Sequence, residues 1–125
     1  MAHPHRPVFL NLMQIQMPVG ALTSILHRIT GVLLAVSVPI GVYLLDLSLQ
    51  NEQGFTAVAG LFQHRAVKAV AIIALWAFTH HVLAGVRHLL TDINLGSALH
   101  PARRTAWWVN LGGAATALIA AGVWL

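Results

Sequence analysis

Charge divides this chain into long uncharged runs. Ile29 to Leu45, Ala69 to Val86 and Thr105 to Leu125 contain no Lys, Arg, Asp or Glu, and they are 17, 18 and 21 residues long. As helices rising about 1.5 Å per residue they measure about 26 to 32 Å, close to a bilayer hydrocarbon core of about 30 Å. The chain is 58% apolar and 8% charged, against about 25% charged in an ordinary soluble domain. A net charge of +4 carried by so few groups also excludes the basic stripe of a nucleic-acid binder. The expectation is an all-α membrane protein: one transmembrane domain over 1–125, with three helices spanning approximately 24–49, 66–90 and 104–125. Residues 1–23 are expected at the cytoplasmic face. The first apolar run is expected to be retained, being too long for a signal peptide and lacking a small-residue cleavage site before Asp46.

Basic residues give the orientation. Arg6 and Arg28 precede the first span and Arg87, Arg103 and Arg104 lie between the second and third, while only Arg65 and Lys68 lie between the first and second. This asymmetry predicts a cytoplasmic N-terminus and an external C-terminus. Trp107, Trp108 and Trp124 sit near the ends of the third span, as interfacial anchors do. Asn51 to Gly54 reads as a turn, Phe55 to Phe62 as a short interfacial helix, and Pro39 as a kink in the first span. Gly112, Thr116 and Ala120 recur every four residues, as do Gly113, Ala117 and Ala121, which predicts close packing of the third span against another helix.

Histidine is the unusual residue: eight of them, against seven Lys and Arg together. With no cysteine there is no disulfide, thiolate zinc site, ordinary iron–sulfur cluster or thiol nucleophile. The histidines fall in two stripes. In SILHRITG, Ser24, His27, Arg28 and Gly31 share one side of the first span. In HHVLAGVRHLLTD, His81, Gly85, His88 and Asp92 stay within about 40° of one line, and His80 and Arg87 form a second row. A plainer reading makes His27, Arg28, Arg87, His88 and Asp92 interfacial anchors and Ser24 a helix cap. His80 and His81 lie about 10 Å deeper than Arg87, where an ionisable side chain points to function.

Zinc needs three or four converging ligands, and no carboxylate lies at that depth. A proton relay needs a chain of acids and histidines. Haem asks for one neutral imidazole per side and a small residue that lets the macrocycle lie close to the helix, which Gly85 supplies one turn from His81. His27 and Arg28 are placed to meet the propionates. His81 and His88 stand about 10 Å apart on one helix face and cannot both ligate one iron, and the third span has no histidine. The second ligand is therefore expected from another chain.

At these residues the sequence resembles a family: the cytochrome b membrane-anchor subunit of succinate dehydrogenase, respiratory complex II. The resemblance covers RPVFLNL, SILHRITG, EQGF and the motif HxxxGxRHxxxD, in that order. The pair SxxHRxTG and HxxxGxRHxxxD about 50 residues apart is specific. What it implies is half of a six-helix heterodimeric anchor bundle, with a b-type haem between the halves. It assigns His81 as this chain's axial ligand, with His27, His80, Gly85, Arg87 and His88 around the haem and its propionates. It places Ser24, Arg28 and Asp92 at a quinone, expected to be ubiquinone. The implied partners are a second transmembrane anchor, an iron–sulfur subunit and a flavoprotein, in the inner (cytoplasmic) membrane. Some related sequences carry Tyr where His80 stands, so two adjacent imidazoles compete for the ligand role; the register with Gly85 favours His81. A fumarate reductase anchor, or a structural or proton-relaying membrane subunit without haem, are the alternatives.

Overall fold

In a bilayer each backbone N–H and C=O finds a partner only within its own helix, so long apolar segments have little choice of conformation. In the computed structural model, which describes residues 16–125, four helices follow one another: α1 (Val19–Gln50), α2 (Glu52–Leu61), α3 (Arg65–Asp92) and α4 (Leu99–Trp124). The described residues contain no strand. Helices α1, α3 and α4 are each long and apolar enough to cross a membrane. Each extends beyond the expected span at one or both ends, because helical hydrogen bonding continues into the interface where the apolar run stops.

The helix ends have local causes. Pro18 precedes α1, and its carbonyl accepts from Ala21 and Leu22 N–H. Ser24 is thus the sixth helical residue and not a cap. Pro39 lies inside α1, which continues through it. Asn51 turns out of α1 in extended backbone, and its Oδ1 accepts from Gly54 N–H at 2.8 Å. That cap starts α2 at Glu52, so the turn expected over Asn51 to Gly54 is confined to Asn51 and the short helix begins three residues earlier than expected. A Cβ at Gly54 would collide with the Leu47 carbonyl. Beyond α3, Asn94 adopts a left-handed conformation (φ 62°) and Leu95 N–H bonds the Leu90 carbonyl at 2.8 Å, which reverses the chain. The expectation for residues 1–23 falls largely on residues 1–15, outside those described; 19–23 are helical.

Helix α3 is the middle element, packed against both α1 and α4. The buried positions fall on matching rows: Thr23 and Thr30 on α1, Ala77, His80 and Ala84 on α3, Ala106, Val109 and Gly113 on α4. Spacings of three, four and seven keep each row on one helix face. The interior is narrow. Its largest fully buried side chains are His80, Thr23 and Thr30, while Val32, Val36, Leu118 and Val123 face outward. This is the arrangement of helices solvated by lipid, where small residues let backbones approach and polar side chains bond across helices. Gly112 and Gly113 follow the expectation for close packing: a Cβ at Gly113 would lie 3.1 Å from His80 Cβ and one at Gly112 3.0 Å from Leu83 Cδ1. At the far end of the bundle Lys68 Nζ donates to the Trp124 carbonyl at 3.0 Å.

Candidate functional site

The stripes on α1 and α3 meet. His81 Nδ1 lies 3.1 Å from the His27 carbonyl oxygen and 3.3 Å from Thr30 Oγ1. Thr30 Oγ1 is itself 3.0 Å from the same carbonyl. A carbonyl oxygen only accepts, so the arrangement is consistent when Thr30 donates its hydroxyl proton to it and His81 donates from Nδ1. An unprotonated Nδ1 would set two acceptors against each other. In the neutral ring that places the proton on Nδ1 and leaves the lone pair on Nε2.

The rings of His27 and His81 stack, with centroids 4.1 Å apart and planes at 17°. His88 stands on the other side of His27, at 5.2 Å and 54°. Two glycines make room. A Cβ at Gly31 would come within 3.1 Å of His81 Cε1, and one at Gly85 within 3.5 Å of His27 Nε2. His27, Gly31, His81, Gly85 and His88 therefore form one cluster in the α1–α3 groove.

His80 and Arg87 face elsewhere. His80 is fully buried, and its Nε2 lies 3.0 Å from Asn110 Oδ1 on α4. Asn110 Oδ1 also meets Thr23 Oγ1 of α1, at 3.2 Å. His80 Nδ1 and Asn110 Nδ2 have no partner among the described residues. Arg87 points along the same row, donating from Nε to Thr105 Oγ1 (3.3 Å) and from Nη2 to the Ala102 carbonyl (3.2 Å). The chain thus brings together His27, Gly85 and His88 with His81, and sets His80 and Arg87 on the α4 side. Ser24 (half-buried) lies about one turn before His27 toward the start of α1, and Arg28 (exposed) follows His27 directly. Asp92, exposed, ends α3 one turn beyond His88 at that same end of the bundle.

Three residues escape the stripe reading. Thr30 follows His27 by three positions, on the same helix row, and that spacing was its signal. Asn110 is an amide within an uncharged run, where a polar side chain is costly. Thr23 pairs with it across 87 positions, and nothing local in the sequence marks that pairing.

Three helices of membrane-crossing length, two of them holding an imidazole cluster tied to a backbone carbonyl, define a small multi-pass membrane protein. Residues 2–121 match the family described as succinate dehydrogenase/fumarate reductase transmembrane subunit, and the chain belongs to that family. Relatives include the succinate dehydrogenase cytochrome b556 subunit of Coxiella burnetii, 33% identical over 96% of this chain and 96% of that protein. That of Paracoccus denitrificans is 25% identical over 92% and 88%, and that of Rickettsia felis 30% over 83% and 81%. The resemblance to the cytochrome b anchor holds along nearly the whole chain.

Proposed function

We propose that this chain is the cytochrome b anchor of a succinate:quinone oxidoreductase in the inner membrane, with its N-terminus in the cytoplasm. In this reading His81 would hold a b-type haem through Nε2, and a second three-helix anchor would contribute the other ligand. The observation that carries it is the His81 Nδ1 bond to the His27 carbonyl: a ligating histidine commonly donates its other nitrogen to a carbonyl, which fixes the ring and raises its basicity. Gly31 and Gly85 give the His81 and His27 rings their places in the α1–α3 groove. When bound, the haem supplies a one-electron redox centre inside the membrane. His27 and His88 are placed to meet its propionates, with Gly85 as part of the cradle, while His80 and Arg87 act from the α4 side by fixing α3.

The reaction this anchor serves is quinone reduction, for which Ser24, Arg28 and Asp92 lie at the end of α1 and α3 that faces the cytoplasm in this orientation. The Ser24 hydroxyl donates to a quinone carbonyl oxygen, the Arg28 guanidinium stabilises negative charge developing on the ring oxygens, and Asp92 stands where water can deliver protons. Succinate chemistry belongs to a flavoprotein and an iron–sulfur subunit, since this chain has no cysteine. The names of the relatives favour succinate oxidation over fumarate reduction as the working direction, and ubiquinone is the proposed acceptor. The test is the optical and EPR spectrum of the purified complex. His81→Ala is expected to abolish the low-spin haem signal, and His80→Ala to retain haem with a shifted spectrum. Loss of haem from the His80 variant together with a normal spectrum in the His81 variant would reverse the assignment.

A further inference from the structure

Hydrogen-bonding groups from three helices converge on one amide. Asn110 Oδ1 stands 3.0 Å from His80 Nε2 on α3 and 3.2 Å from Thr23 Oγ1 on α1. Thr23 and His80 are fully buried. The cluster leaves His80 Nδ1 and Asn110 Nδ2 unpartnered among the described residues. A buried polar group without a partner is destabilising relative to an apolar one of the same shape, so the cluster is a poor way to gain stability. Ala106, Val109 and Gly113 already pack the α3–α4 seam. What an apolar seam lacks is direction, because helices packed on smooth side chains can rotate about their axes at small cost, whereas a hydrogen bond fails over a fraction of an ångström. A side-chain atom about 5 to 6 Å from the axis moves about 2 Å when a helix turns by 20°.

We propose that Asn110 is a positioning residue for His81: by holding His80 toward α4, it fixes the rotation of α3 at which the next imidazole meets α1. The proposal rests on the reading of His81 as haem ligand and adds α4 to what orients it. His80 and His81 are about 100° apart around α3, and each is tied to a different neighbour: His80 to Asn110, His81 to the His27 carbonyl and Thr30. Neither tie can shift without straining the other. Thr23 sets the same amide oxygen against α1 more weakly, because its one hydroxyl proton is shared with the Val19 carbonyl at 3.0 Å.

The experiment compares low-temperature EPR spectra and haem content of the assembled membrane complex carrying Asn110→Leu, Thr23→Val, both together, or Val109→Ala. Val109 is buried beside Asn110 on α4 and takes no part in the polar cluster. Asn110→Leu is expected to keep its haem and to show a displaced, broadened low-spin signal. Thr23→Val should displace the signal less and in the same direction, the double variant should match Asn110→Leu, and Val109→Ala should leave the signal in place. An unshifted signal in Asn110→Leu, or an equal shift in Val109→Ala, overturns the proposal. If Asn110→Leu does not assemble, Thr23→Val against Val109→Ala decides by the same criteria. A low-spin signal that survives His81→Ala overturns the ligand reading and this proposal with it, whereas a signal lost in His81→Ala and unmoved in Asn110→Leu overturns this proposal alone.

Discussion

One position in the chain separates His80 from His81, and the structure gives them different neighbours: an amide on α4 for the first, a backbone carbonyl on α1 for the second. The sequence distinguished the two through the register of His81 with Gly85, and the structure adds a difference in surroundings, because His80 is fully buried with its Nδ1 enclosed and unpartnered among the described residues, whereas His81 is only half-buried. The partners themselves were less legible. Thr30 was visible as a member of the His27 row, but a carbonyl acceptor leaves no mark in a sequence, and Thr23 with Asn110 is a pairing that exists only once the helices are packed. At this scale the residues proposed for quinone are the most exposed to test. Ser24→Ala removes a donor whose loss is worth about 1 to 3 kcal/mol when the acceptor is left buried, and Arg28→Leu, which removes a charged donor, is expected to cost more. Both variants should lose succinate-to-quinone turnover and keep succinate oxidation by an artificial acceptor upstream of the membrane. Normal quinone rates and affinities in assembled variants of both would return Ser24 and Arg28 to the role of interfacial groups.

The uncharged runs located all three long helices, since the absence of charge marks the part of a helix that lies in hydrocarbon. For the same reason they do not give the helix ends: where lipid gives way to headgroups the composition changes and the hydrogen-bond pattern does not, so α1 reaches back to Val19 and α4 to Leu99. The start of α2 turned on one side chain, the Asn51 cap, which a reading of Asn and Gly as turn formers assigns to the wrong motif. Small-residue spacing on α4 gave its packing face correctly. That face supplies a prediction: Gly113→Val places new atoms against His80 Cβ and Trp76 Nε1, 3.1 and 3.3 Å from the Cβ position, and overpacking of this kind costs about 1 to 3 kcal/mol. Gly122→Val meets nothing within 4 Å and should stay within about 0.5 kcal/mol of wild type. Thermal inactivation of the purified complex, followed for both variants, separates them; equal stability would mean that the α3–α4 seam is looser than described.

For the molecule as a whole, the order of basic residues predicts an N-in, C-out path through the membrane. A periplasmic reporter fused after Leu125 should be active and one fused after Ser97 inactive; activity only at Ser97 would invert the path and move Ser24, Arg28 and Asp92 to the wrong side for soluble partners. The path is read from charge and the site from packing, and they meet in the contact between α1 and α3. There the acceptor for the His81 proton is the main-chain oxygen of residue 27, which every amino acid carries. Replacing the His27 side chain would delete the ring stack and leave that oxygen in place, and no single codon change can take it away. The protonation pattern of the imidazole is in that sense inherited with the architecture: it tolerates drift in the surrounding sequence for as long as the two helices keep their alignment, and a change that shifts one helix along the other alters it without touching either histidine.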